Sequence, residues 1–427
     1  MASKPTFFSD YKRALKGNVL QLGIVSFFTD LSSEMIYPLL PVFFTGLVPT
    51  AVAAVYIGLM DGIAESTSSL LKIYSGRLSD TLGKRKPLAF LGYTISGLAR
   101  PLMAVASAGW HVIGLRFLDR VGKGFRTSPR DALVSDSVEC DVRGLAFSFH
   151  RLMDHTGAVL GPVLATIFLY AVLGQSILWQ QGDGMANPAE MQAMRWLFMI
   201  ALIPGILATL TIWFFVHDTP TARNACSPDS GEPRKIKALS KLPSKFYLYL
   251  ASVVLFTLGN STDLFLIYFA QTKFGLGLGW VIVLWVSLHI SKIIFSLPGG
   301  RFSDKVGRRH AIMIGWFIYI LVYVAMPFIS DLRAMFAVLF IYGAYYGMTE
   351  GAERALVADF VPSEVRGNAY GLFHGAVGIA ALPASLLFGV FWAALGPLTA
   401  FLIAASLAFA ALVLLTISLP GKPLPQK

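Results

Sequence analysis

From Val19 onward, apolar stretches of about 18–28 residues recur along the chain, each long enough to cross a hydrocarbon core ~30 Å thick. They lie near 18–46, 51–75, 87–108, 110–131, 145–172 and 195–217. A second series follows near 246–270, 277–298, 310–329, 332–352, 368–393 and 397–418. The pattern predicts an all-α integral membrane protein with twelve transmembrane helices and a lipid bilayer as the solvent of its outer surface. Ahead of the first span, Phe7, Tyr11 and Leu15 recur at helical spacing against Lys12, Arg13 and Lys16. That pattern reads as a short interfacial helix within residues 1–17, with no cleavable signal before it.

Composition agrees. Of 427 residues, 55% are hydrophobic and 14% are charged, where a soluble domain has roughly a quarter charged. The net charge of +11 raises the question of a nucleic-acid partner, and its placement answers it. Lys84-Arg85-Lys86, the basic run from Arg234 to Lys245 and Arg308-Arg309 all fall on one side of the predicted topology. Loops on the other side hold only Arg195, Lys273 and Arg333. This asymmetry puts both termini in the cytoplasm of a plasma membrane (a bacterial inner membrane) and implies no nucleic acid. Cys140 and Cys226 fall in predicted cytoplasmic loops, where free thiols are expected, and no Cys/His spacing suggests a metal. No cofactor is expected either.

The chain also repeats itself. Gly76-Arg77-Leu78-Ser79-Asp80-Thr81-Leu82-Gly83-Lys84-Arg85 after the second span matches Gly300-Arg301-Phe302-Ser303-Asp304-Lys305-Val306-Gly307-Arg308-Arg309 after the eighth. At nearly the same offset, Asp131-Ala132-Leu133-Val134 with Asp136 and Val142-Arg143-Gly144 matches Arg354-Ala355-Leu356-Val357 with Asp359 and Val365-Arg366-Gly367. Two matches in register mark a duplication. The expected organisation is a bundle over 18–217, a polar linker over 218–245, a second bundle over 246–418 and a tail over 419–427.

The G-x-L-S-D-x-x-G-K-R string, its second copy and the Arg-Gly pairs before helices five and eleven resemble the signatures of the major facilitator superfamily over essentially the whole chain. The resemblance implies two pseudo-symmetric six-helix bundles that rock about a site at their interface. It also implies that helices one, four, seven and ten line the cavity, while three, six, nine and twelve support it. Three weaker strings resemble the twelve-helix drug/proton antiporter branch. They are Leu31-Ser32 with Pro38-Leu39-Leu40-Pro41, Arg116-Phe117-Leu118-Asp119-Arg120-Val121-Gly122, and Gly157-Ala158-Val159-Leu160-Gly161-Pro162. Ser32 stands where the branch usually has glycine, Arg120 replaces another glycine, and Ala165-Thr166 replaces a closing glycine pair. By the same resemblance Gly76, Asp80, Gly83 and Arg85 form a gate. There Asp80, in a turn, faces Arg126 or Arg130 and the start of helix eleven near Asn368. Asp304 faces helix five and Arg354 in the same way.

An ionised side chain in mid-membrane costs roughly 2.5–3.5 kcal/mol, so each one needs a use. Asp30 and Glu34 share a face of helix one, Asp61 and Glu65 one of helix two, and Asp263 lies on helix seven. Carboxylates taken out of water favour their protonated form, which suits them to proton coupling. On helix five, His150 and Asp154 share a face and could relay a proton. Arg116, Arg120, Lys123, His289 and Lys292 are candidate substrate contacts. The plainer alternative is that these acids and bases only neutralise one another.

The expected activity is secondary active transport of a small polar molecule, coupled to protons and directed outward, by a chain that functions as a monomer. The alternative is a proton symporter importing an organic anion, metabolite or metal chelate. No catalytic nucleophile, metal-ligand or phosphate-binding motif argues for an enzyme.

Overall fold

The computed structural model describes residues 7–40, 43, 46–48, 50–173, 188–218, 242–261, 263–274 and 278–419. Among them the chain makes twelve helical passes. Asn18–Glu34 with the short turn Tyr37–Leu39 forms the first pass, followed by Thr50–Leu82, Lys86–Leu102, Gly109–Asp136 and Arg143–Leu173. The sixth runs through Pro188–Ile200 and Leu202–Phe215, and the seventh through Ser244–Gly259 and Leu264–Phe274. Leu278–Val306, Arg308–Ala325 and Leu332–Phe360 are the eighth to tenth. Arg366–Ser418 supplies the last two, bent at Gly396, whose φ of 82° only glycine takes readily.

Eight passes are long and apolar enough to cross a membrane on length and composition. The fourth falls short because it carries Arg116, Asp119, Arg120, Lys123, Arg126, Arg130 and Asp131, and the tenth carries Glu350, Glu353 and Arg354. The seventh is broken at Asn260, whose backbone is extended (φ −101°, ψ 91°). There the Gly259 carbonyl, released from the helix ladder, accepts the Tyr319 hydroxyl at 2.7 Å. Continuous hydropathy over 246–270 hid this break. The sixth bends at Ala201, whose carbonyl accepts the Ser32 hydroxyl at 2.8 Å.

Helices two and eight run further than their apolar stretches. Asp80 and Asp304 both lie inside helices rather than in a turn, and the chain reverses only at Gly83 (φ 63°) and Gly307 (φ 113°). Both halves meet at the end carrying these basic loops, called here the basic end. The second helix packs on the eleventh and the fifth on the eighth.

The N-terminal helix Phe7–Ala14 packs against the start of helix five and the short turn before it. Ala14 is fully buried, and Arg13 pairs with Glu139 and with Asp141 at 2.9 Å. Its hydrogen bond to Glu139 pushes the Arg13 guanidinium pKa up. Asp10 lies 3.6 Å from Arg301 of the second half, so the helix straps both halves at the basic end. Because Arg13 and its partners are partly exposed, Arg13→Ala is expected to loosen the strap by about 1 kcal/mol at most. A several-fold rise in hydrogen exchange across residues 7–16 would report it. The expectation of two thiols rests on Cys226 as well as Cys140, and Cys226 lies outside the described residues.

Candidate functional site

Two matching clusters close the basic end. Asp80 accepts backbone N–H groups of Gly367 and Asn368 at 3.0 and 2.6 Å, at the positive N-terminus of helix eleven. Arg85 donates to Asp80 and, through Nε, to Asp136, both at 2.8 Å, and to the Ser363 carbonyl at 2.6 Å. Arg366, the first residue of helix eleven, pairs with Asp136 from across the halves. The second cluster repeats the first. Asp304 accepts from Gly144 and Leu145 at 2.9 and 2.8 Å, at the start of helix five. Arg308 pairs with Asp304 and reaches Asp359 at 3.3 Å, while Arg143 pairs with Asp359 at 2.9 Å.

The partners of Asp80 and Asp304 differ from the sequence expectation. Arg85, and not Arg126 or Arg130, faces Asp80, and Arg308, and not Arg354, faces Asp304. Because the second and eighth helices continue through the motif, each aspartate sits close to the arginine just past the glycine turn. The arginines of helices four and ten lie elsewhere. Arg126 stacks 4.4 Å over the Tyr93 ring, Arg130 pairs with Asp131 at 2.7 Å, and Arg354 donates to the Glu350 carbonyl at 2.6 Å. Arg309, which aligns with Arg85, instead donates to the Thr416 carbonyl at 3.0 Å.

Within the first half, Asp119 gathers two of the five bases of helix four and one from helix three. It is 1% exposed and bonds Arg100 at 3.0 Å and Arg116 at 3.2 Å, with Arg120 at 3.9 Å. Arg116 also stacks 4.4 Å over Tyr37. Asp30 and Glu34 form no ion pair among the described residues, although the fields of Arg120, Arg116 and Arg100 reach Glu34. Gly157 and Gly161 of helix five press against the Asp30 and Glu34 side-chain bases, fixing helices one and five together. The side chains of Asp61 and Glu65 lie outside the described residues. The Lys123 backbone carbonyl accepts the Thr127 hydroxyl at 2.7 Å.

The second half holds a different arrangement. Asp263 is bonded by Lys292 at 2.7 Å and by the hydroxyls of Tyr342 and Tyr346 at 3.0 and 2.8 Å, and Lys292 rests 3.7 Å over the Tyr346 ring. This proton-coupling candidate and this anion-contact candidate therefore satisfy each other. His289 turns one ring nitrogen to the Trp285 carbonyl at 3.0 Å.

A third group joins the halves inside the bundle. Asp131 of helix four accepts from His374 of helix eleven at 2.6 Å and lies 3.7 Å from Arg354 of helix ten. His155 of helix five meets Glu350 of helix ten at 3.1 Å. Beside them Asp154 is held by Arg151 and Ser26, with His150 at 3.7 Å, and Glu353 accepts from the Trp316 indole at 3.2 Å. Sequence reasoning missed Asp119, Glu350 and Glu353 as site residues. The signal was available for Asp119 and Glu350, acids inside predicted spans, whereas Glu353 falls one residue past the predicted end of the tenth.

Two halves built alike, latched to each other at one end and charged within, are the architecture of an alternating-access carrier. The family model of the Major Facilitator Superfamily matches residues 22–291 and 277–427, and the chain belongs to that family. It is 31% identical over 385 residues, 89% of each chain, to an uncharacterised MFS-type transporter of Methanocaldococcus jannaschii. It is 25% identical over 359 residues, 82% of each, to a multi-drug resistance efflux pump PmrA homolog of Lactococcus lactis. The crystal structure of the human organic anion transporter MFSD10 superposes with a TM-score of 0.73 at 16% identity, covering 93% of this chain and 98% of that one.

Proposed function

We propose that the protein exports a small polar molecule in exchange for protons, with Asp30 and Glu34 as the proton-carrying pair. The observation that carries this reading is their lack of ion-pair partners among the described residues, while Asp119, Asp131, Asp154 and Asp263 are each held by a base. An acid with a fixed cation stays ionised, whereas one without can exchange its proton as the cavity opens and closes. The likeness to a multi-drug efflux pump supports the outward direction. In this reading the basic end faces the cytoplasm of a bacterial inner membrane, with both termini on that side, and one chain suffices.

Purified protein in liposomes should move protons when substrate is added, and Glu34→Gln should abolish that movement while leaving substrate binding within about threefold. Unchanged coupling in this variant would remove Glu34 from the role.

The basic surplus of helix four and the likeness to a human organic anion transporter support a second reading, proton-driven import of an organic anion. The two readings differ in whole cells. An uncoupler collapses accumulation of an imported solute and raises accumulation of an exported one.

A further inference from the structure

We propose that the His155–Glu350 pair is a proton-binding site whose occupancy is tied to closure of the basic end. It adds to the proton-coupling reading and rests on it. Partner identity singles out the pair. Among the described residues Asp119, Asp131, Asp154 and Asp263 each have an arginine or lysine at ion-pair distance, and Glu353 meets only an indole. Among the described residues only Glu350 has a histidine as its one ion-pair partner. Arg354, one turn further along the same helix, donates to the Glu350 backbone carbonyl and not to its carboxylate. A carboxylate matched to a histidine changes its electrostatic partner within the physiological pH range, which one matched to arginine does not.

The second element is position. His155 belongs to the fifth helix, in the first half, and Glu350 to the tenth, in the second. The contact at 3.1 Å exists only while the halves hold their present relation, so separating them breaks it. Proton binding that depends on whether the two groups touch is linked to the rocking motion, and linkage is reciprocal. Asp30 and Glu34 both lie on one helix of one half and have no such built-in dependence.

The surroundings are charged but defined. From helix eight, His289 places its ring 5.6 Å from that of His155, and Lys292 lies beyond it, tied to Asp263. Helix five contributes Arg151 and Asp154, paired to each other, and the field of Asp30 on helix one reaches Asp154. On helix ten stand Glu353 and Arg354, the latter shared with Asp131 of helix four. Arg151–Asp154, Lys292–Asp263 and Arg354–Asp131 each include an arginine or lysine, and the His155–Glu350 contact does not. His155 is 8% exposed, and the His289 ring stands edge-on to it.

The test reads conformation against pH in the full-length protein in lipid nanodiscs. Spin labels on non-canonical side chains at the exposed positions Lys84 and Lys305 report the width of the basic end. In the wild type the ratio of closed to open populations should change at least fivefold between about pH 5 and pH 8. His155→Asn and Glu350→Gln should each flatten the profile, whereas His111→Gln, remote from the pair, should keep it. Variants that retain the full wild-type profile would overturn the proposal while leaving proton coupling through Glu34 standing. A wild type whose width ignores pH would overturn the reading of this site, and liposome proton flux then decides the coupling reading separately. If either variant fails to fold, the wild type with 15N-labelled histidine provides the check. One ring signal must titrate with the midpoint of the width change, and its absence from all 7 histidines would overturn the proposal.

Discussion

Gly76→Ala is expected to fold at close to wild-type yield and lose most transport, because it wedges the basic end open. A Cβ at this position would fall far inside van der Waals contact of the Gly367 carbonyl oxygen, an atom of the other half that no rotamer can move. Overpacking of this kind costs about 1–3 kcal/mol. Applied to a two-state equilibrium, that shifts the closed-to-open ratio by about 5–150-fold. The control is Gly299→Ala. Its Cβ would collide just as closely with the Gly347 carbonyl, but helices eight and ten belong to the same half. That variant should lower the melting temperature and leave the balance of states near wild type. If Gly76→Ala lowers stability instead, with the basic end as closed as before, the steric account of the gate fails.

Asp119→Asn should be the most damaging single change to folding. Three guanidiniums converge on this carboxylate, and Arg100 has no other acidic partner among the described residues, its remaining bond going to the Thr29 carbonyl at 2.8 Å. Breaking a buried pair from one side costs about 3–5 kcal/mol, because the opposite charge stays behind unpaired. Little folded protein should be recovered from membranes. Adding Arg100→Gln removes one stranded charge and should restore a measurable fraction, monitored by size-exclusion profile in detergent. A single variant as stable as wild type would show that Asp119 is dispensable to the charge balance.

Much of the architecture could be read from the residues alone. The twelve passes follow from hydropathy, and the duplicated Gly-Arg-x-Ser-Asp strings locate both latches, with the starts of helices five and eleven opposite them. Partner choice was harder to read. Whether Asp80 meets Arg85 or Arg130 depends on the helix continuing three residues past Ser79 before Gly83 reverses it. Hydropathy says nothing of that, since the segment is already polar. The same holds for Asp263, which looks like an exchangeable acid in sequence. Its lysine and two tyrosines come from other helices, brought in by the break after Gly259. His155 and Glu350 stand 195 positions apart, and only packing of the halves makes them neighbours.

The contact between Asp131 and Arg354 joins corresponding positions of the two repeats, which carry opposite charges. If each half were paired with a copy of itself, aspartate would confront aspartate in one assembly and arginine would confront arginine in the other. Divergence at this one site therefore separates the fused chain from any symmetric ancestor built of two identical units. A gene encoding either half alone would make a poor self-dimer, while the two halves expressed as separate polypeptides retain a reason to choose each other.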